Sequence, residues 1–287
     1  MFVCVLASTT LAFVSHPRPS LFPCRSPRLV FMDAEPVDAE EPGPLQLSRA
    51  SVLKFGLYTA WAFGAGTSIG RLLDFPPASF RDLARSIYLE AQAGVLPATT
   101  NRRLRVLEIG CGTGLESAFG DRFVANSEVL AVDVDAPNAK TLQAAQSRAA
   151  TAGSELRFRR GDATDLSFME ESSVDVVVCS LTLCSVQSAE AAVRAVRRVL
   201  RPGGRFGFVE HVVVRAEDER PLLAASQSLL DPLQQVLAHG CHLTRDSPAL
   251  IVDAFEREGG GKVLRMERRV EDAMWPVSQI AAGVVQK

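Results

Sequence analysis

The sequence predicts an α/β fold: a mostly parallel sheet of about seven strands, covered by helices on both faces. Three observations carry this. Short, nearly continuous apolar runs alternate with helical patterns from Leu104 onward, as strands buried on both faces do. The first run leads into a glycine-rich loop, VLEIGCGTGLE at residues 106–116. The second run, VLAVDV, carries Asp133 near its end, 19 residues past Gly114. Nucleotide-binding α/β folds place an acidic ribose partner at about that spacing.

The elements follow in order. Residues 105–109 form a strand ending in the glycine loop, 128–134 contain the second strand, and 137–151 read as a helix. A third strand at 156–159 is followed by GDATDL. VDVVVC at 174–179 reads as an apolar fourth strand. In the helix 188–200, Val193, Val196, Val199 and Leu200 share one face, while Arg194, Arg197 and Arg198 form a solvated face. RPGG stops this helix, and the fifth strand runs from 205 to 214. Residues 221–240 are helical but broken at Asp231-Pro232, where Asp caps and Pro opens a second helix. Ser247-Pro248 opens another helix that reaches the glycines at 259–261. Strands at 262–270 and 279–286 complete the sheet. There is no internal repeat.

The segment ahead of this domain differs in character. Residues 1–32 hold a 13-residue apolar core, then a Ser/Pro/Arg-rich stretch, and no Asp or Glu. This resembles a bipartite plastid-targeting leader; a secretory or endoplasmic reticulum signal is the alternative. Residues 33–44 form an acidic, Pro-rich linker. Residues 45–73 are apolar, with four glycines and flanking Arg49, Lys54 and Arg71. They read either as a helix lying on a membrane surface or as a lid packed on the domain, the N-terminal part as a whole extending over 45–100. Loss of Arg18, Arg25 and Arg28 with the leader takes the formal net charge from −2 to −5. That charge excludes nucleic acid as the expected partner. The six cysteines form no C-x-x-C pair, so buried thiols are expected rather than a disulfide framework.

The glycine loop discriminates between cofactors. A dinucleotide loop has the pattern G-x-G-x-x-G, which fails here because Leu115 holds the sixth position after Gly110. The loop reads instead E-x-G-x-G-x-G, from Glu108 through Gly110 and Gly112 to Gly114, with Cys111 as a small spacer. S-adenosylmethionine carries no phosphate. An acidic residue at the strand end suits its cationic part, and glycines permit close backbone approach. Asp133 is placed to accept the ribose hydroxyls, and Asp162, after the third strand, to accept from the adenine amino group. Ser180 and Leu181 border the methionine moiety.

In this order VLEIGCGTG, AVDVD, GDATDL, VDVVVCSLTLCSV and RVLRPGGRFGFVEHV resemble a class I S-adenosylmethionine-dependent methyltransferase of type 11. The resemblance spans about residues 104–287 and implies a Rossmann-like, seven-stranded sheet with an antiparallel last strand. It also implies cofactor contacts at Glu108, Gly110, Cys111, Gly112, Gly114, Asp133, Val134, Asp162, Ala163, Ser180 and Leu181. VDVVVCSLTLCSV, FVEHV and LDPLQQVLAHGCHLTRD are further similar to membrane-associated alkyl-thiol S-methyltransferases. The resemblance implies a small lipophilic thiol as acceptor and peripheral membrane contact through 45–73. The alternatives are methylation of a plastid prenyl quinone or phenol on oxygen or carbon, and a non-catalytic S-adenosylmethionine-binding protein.

Candidate polar groups at the acceptor side are few. His211, at the end of the fifth strand, is the one candidate catalytic base; holding backbone or a neighbouring carboxylate is the alternative. HGCH at 239–242 lacks a further ligand at metal-site spacing, so no metal is expected. Asp231 reads as a helix cap and Arg245 as a loop residue or an anchor for an acidic group.

Overall fold

The computed structural model describes residues 76–95, 101–113, 115 and 122–287. The leader, the acidic linker, the segment 45–73 and Gly114 lie outside the described residues. The chain enters with α1 (Ala78–Gln92), then β1 (Leu104–Ile109), β2 (Ser127–Asp133), α2 (Ala139–Thr151), β3 (Glu155–Arg160) and β4 (Val174–Ser180). It continues with α3 (Ala189–Val199), β5 (Leu200–His211), α4 (Pro221–Leu237), α5 (Ser247–Val252), β6 (Lys262–Val270) and β7 (Gln279–Gln286).

Seven strands form one sheet in the order β3-β2-β1-β4-β5-β7-β6. The pairs among β1 to β5 are parallel, and β7 runs antiparallel between β5 and β6. This is the expected sheet, last strand included. Strand alternation sends side chains to two separate cores. Val106, Val176, Val178 and Val284 pack with Phe80, Leu83, Ile87 and Tyr88 of α1. Leu107, Ile109, Val177 and Cys179 pack on the other face with Val193, Val196 and Val199 of α3 and with Ile251 of α5. Gly207 lets α1 rest directly on β5: a Cβ there would lie 2.9 Å from the Ala91 Cβ and 3.3 Å from Ile87 Cγ2.

Local signals explain most boundaries. Asn138 caps α2 by accepting from Thr141 N–H, and Ser188 caps α3 by accepting from Ala191 N–H. The structure departs from the sequence reading in three places. RPGG does stop α3, but β5 begins at Leu200, so the loop expected at 201–204 belongs to the strand. Asp231-Pro232 does not break α4, which runs continuously with Pro232 inside it. Asp231 caps no helix there; it accepts from Leu243 N–H and from Gln235 on the next turn. Nor are all the α3 arginines solvated. Arg198 donates to Leu166 and Met169 carbonyls and so ties the loop before β4 to the helix.

The apolar reading of VDVVVC passes over its one acid. Asp175 is buried on β4, with a side chain only 3% exposed. It accepts two hydrogen bonds from Arg102, at 2.6 and 2.7 Å, one from Arg201 at 2.9 Å and one from Arg105 N–H at 2.9 Å. Burial works to raise its pKa, but Arg102, the Arg105 N–H and Arg201 together hold it below the ordinary carboxylate range. A depressed folded pKa stabilises the protein above the unfolded value near 3.9, and that contribution is lost as pH falls through the folded value. Asp175→Ala should therefore cost about 2 kcal/mol at pH 7, the arginines being partly exposed. In urea unfolding followed by circular dichroism, the gap to the parent chain should narrow once pH drops below about 4.

Candidate active site

The strand order reverses direction at β1, whose neighbours are β2 on one side and β4 on the other. In an open α/β sheet this leaves a crevice over the carboxyl ends of the strands, where ligands bind. The loop after β1 and the loop after β4 flank that crevice.

Backbone geometry holds the first loop. Gly110 N–H and Cys111 N–H both donate to Val132 O, at 2.8 and 3.3 Å. Gly110 has φ +65°, and a Cβ there would fall 2.2 Å from the Thr182 hydroxyl oxygen. Glycine is thus required by the closeness of the second loop as well as by any ligand. The Thr182 hydroxyl donates to Ile109 O at 3.2 Å. Gly112 also has positive φ, and its N–H donates to Asp133 Oδ2 at 2.7 Å. Asp133 Oδ1 accepts from Asp135 N–H at 3.0 Å.

The expected residues after β2 and β3 lie side by side. Asp133 O accepts from Gly161 N–H at 2.9 Å. Val134 is 54% exposed at the end of β2, and Ala163 is buried. Asp162 is exposed and accepts from Thr164 N–H at 2.8 Å, closing an Asx turn. Ser180 and Leu181 are half-buried; Leu181 has φ +53° and donates its N–H to Val209 O. Cys111 is buried, and burial with the nearby Glu108 charge pushes its thiol well up, away from nucleophilic character.

Glu108 has protein partners that the sequence did not indicate. Alternation along β1 turns it to the α1 face, where its carboxylate is buried against Arg122 at 3.0 Å. The Tyr88 hydroxyl donates to it at 3.4 Å, and the Arg122 guanidinium lies 4.1 Å from the Tyr88 ring centre. Burial raises the Glu108 pKa, Arg122 and Tyr88 lower it, and the net direction is up. Its cationic partner in this structure is therefore Arg122, a residue that no motif singled out.

Glu210 was also passed over. It is fully buried at the end of β5, and its carboxylate accepts from the N–H groups of Thr182, Leu183 and Cys184 at 2.9, 3.1 and 3.3 Å. The Cys179 thiol donates to it at 3.4 Å. Burial pushes its pKa up, against those backbone donors and the neighbouring His211. The visible signal was an acid inside the apolar strand FVEHV, which needs partners wherever it is buried.

His211 is 2% exposed, with Nε2 2.8 Å from Cys241 Sγ and a buried Nδ1 that meets no hydrogen-bond partner among the described residues. Gln234 donates to the same sulfur at 3.4 Å. Cys184 joins them, bringing three ligand-type atoms within 4.8 Å of one another. A hydrogen bond from the Cys184 thiol, with His211 and Gln234, draws the Cys241 thiol down, while Cys184 is pushed up. Arg245 donates to Leu183 and Val186 carbonyls and so fixes the loop after β4. His242 lies outside this group, with Nδ1 4.0 Å from Asp231.

A mostly parallel sheet with a switch-point crevice, a glycine loop and an acidic strand end defines a nucleotide-cofactor-binding α/β protein. The comparisons are narrower. Residues 107–208 match the methyltransferase domain model. The chain is 37% identical over 150 residues to the thiol S-methyltransferase TMT1A of Homo sapiens, covering 50% of this chain and 57% of that one. It is 33% identical over 186 residues to the thiol S-methyltransferase TMT1B of Homo sapiens, covering 64% of this chain and 71% of that one. It is also 32% identical over 112 residues to the ubiquinone/menaquinone biosynthesis C-methyltransferase UbiE of Idiomarina loihiensis, covering 38% and 43%. The chain belongs to the S-adenosylmethionine-dependent methyltransferase family. It spans little more than half the length of the TMT1A relative.

Removing the Glu210 carboxylate leaves three buried N–H groups without an acceptor. Glu210→Ala should lower unfolding stability by about 3 kcal/mol, and Glu210→Gln by about 1 kcal/mol. Chemical denaturation measures both; equal stability of Glu210→Ala and the parent chain would show that the loop does not depend on this carboxylate.

Proposed function

We propose that this chain transfers a methyl group from S-adenosylmethionine to a small lipophilic thiol. The observation that carries the reading is the 33% identity to a thiol S-methyltransferase over 186 residues, a stretch longer than the matched domain at 107–208. The likeness therefore extends beyond the matched domain. The crevice fits the cofactor's chemistry. Of roughly four lone-pair positions on the Asp133 carboxylate, Gly112 and Asp135 N–H groups use two, leaving acceptors for ribose hydroxyls. Val134 offers apolar surface beside it, and Asp162 an acceptor for an amino group. Bound S-adenosylmethionine supplies an electrophilic methyl on a sulfonium sulfur.

The work left to the protein is mainly positioning. In this reading Glu108, Gly110, Cys111 and Gly112 are the cofactor-side contacts of the first loop, with Arg122 holding the Glu108 carboxylate. Ser180 and Leu181 form the opposite wall, braced by Thr182 and Glu210. The cofactor would supply its methyl to the acceptor sulfur, with the thiol proton passing to water and a thioether and S-adenosylhomocysteine as products. A thiol with pKa near 8.5 already supplies some thiolate at neutral pH. No strong base is needed, which suits a site where His211 is buried against Cys241.

A plastid location and surface attachment through residues 45–73 accompany this reading. The second reading is a plastid methyltransferase acting on a prenyl quinone or phenol, favoured by the likeness to UbiE and by the leader-like N-terminus. The chain mixed with S-adenosylmethionine and a small lipophilic thiol should form S-adenosylhomocysteine above a no-thiol blank. Turnover with a prenyl quinone or phenol and none with thiols would transfer the proposal to the second reading. Asp133→Ala should weaken cofactor binding by about 1–3 kcal/mol in calorimetry, by stranding ribose hydroxyls; unchanged affinity would remove Asp133 from the site.

A further inference from the structure

Cys184, His211 and Cys241 come from three separate parts of the chain: the loop after β4, the end of β5, and the turn after α4. All three are buried, at 1%, 2% and 6% exposure. One ligand-type atom from each lies within 4.8 Å of the other two, and His211 Nε2 and Cys241 Sγ are 2.8 Å apart. The sequence reading considered only HGCH and lacked ligands; the fold supplies Cys184 from far upstream.

We infer that Cys184, His211 and Cys241 form a binding site for a thiophilic divalent cation of the zinc class. Two sulfurs and an imidazole are the donors such an ion selects, and harder cations prefer oxygen. Zinc would need Zn–S near 2.3 Å and Zn–N near 2.0–2.1 Å, so ligand atoms about 3.5–3.8 Å apart. The cluster brackets that spacing, and loading requires His211 and Cys241 to separate by less than an ångström. Charge also balances: two thiolates and a neutral imidazole neutralise a divalent ion, avoiding an uncompensated charge in a buried place. Three protein ligands leave one tetrahedral position for water or a further sulfur donor.

The positions of the ligands are well supported. Cys184 N–H donates to Glu210, and Cys184 O accepts from His242 N–H at 2.9 Å, linking the two cysteine-bearing segments through backbone. Gln234 donates to Cys241 Sγ at 3.4 Å, a contact able to orient a ligating sulfur. Cys111 and Cys179 are also buried free thiols but do not belong to the cluster. They serve as internal controls.

The test uses the full 287-residue chain, reduced and freed of metal, titrated with Zn²⁺ against a chromophoric chelator and separately with Co²⁺. One equivalent of each ion per chain is expected, with thiolate-to-Co²⁺ charge-transfer absorption in the near ultraviolet. Cys184→Ser and Cys241→Ser should each weaken Zn²⁺ binding by more than the ~10–100-fold that loss of an outer-shell partner costs. Cys179→Ser should retain it. Circular dichroism checks that each variant is folded, and the parent chain's Co²⁺ spectrum stands without any variant. Absence of stoichiometric Zn²⁺ binding by the reduced parent chain, or unchanged affinity in both Cys184→Ser and Cys241→Ser, would overturn the inference. Neither readout depends on methyl transfer, so failure here is distinguishable from failure of the thiol reading.

Discussion

The buried carboxylate of Glu210 holds the crevice together. Three successive N–H groups of the loop after β4 converge on it. That arrangement places Thr182 where it fills the space a side chain at position 110 would need. The glycine loop is thereby packed against the second loop, and Cys184 is delivered beside His211 and Cys241. A carboxylate at this depth is costly unless hydrogen-bonded. Its presence in an otherwise apolar strand makes sense only through the loop it organises.

A second buried acid does related work on the other face. Glu108, paired with Arg122 and touched by the Tyr88 hydroxyl, joins β1, α1 and the segment entering β2. A buried ion pair is weak evidence of net stability. Its structural effect here is to tie the end of β1 to α1 and to the segment entering β2, just before the glycine loop begins. The two acids brace the strand ends on either side of β4, one through Arg122 and the other through the loop after β4.

Much of the fold was legible in the sequence because strand burial has a local signature. Apolar runs such as VLEI and VDVVVC, and the helix with Val193, Val196 and Val199 on one face, report the two cores directly. The misreadings have local causes. Proline at 232 was read as a break, yet Asp231 found tertiary partners and α4 continued through it. RPGG stops α3 but leaves no break before the strand, since its backbone extends directly from Leu200 into β5. Asp175 was hidden in an apolar strand because its arginine partners come from distant segments.

The family resemblance implied the antiparallel last strand; the sequence alone determined the run of strands and helices and a glycine loop followed by an acid at the end of β2. These follow from periodicity and spacing, which depend on neighbours along the chain. The partners of Glu108 and Glu210, the buried setting of His211 and the meeting of Cys184 with Cys241 were decided only by tertiary structure. Each joins residues on different elements, and their proximity arises when parallel strands bring their carboxyl ends to one edge of the sheet.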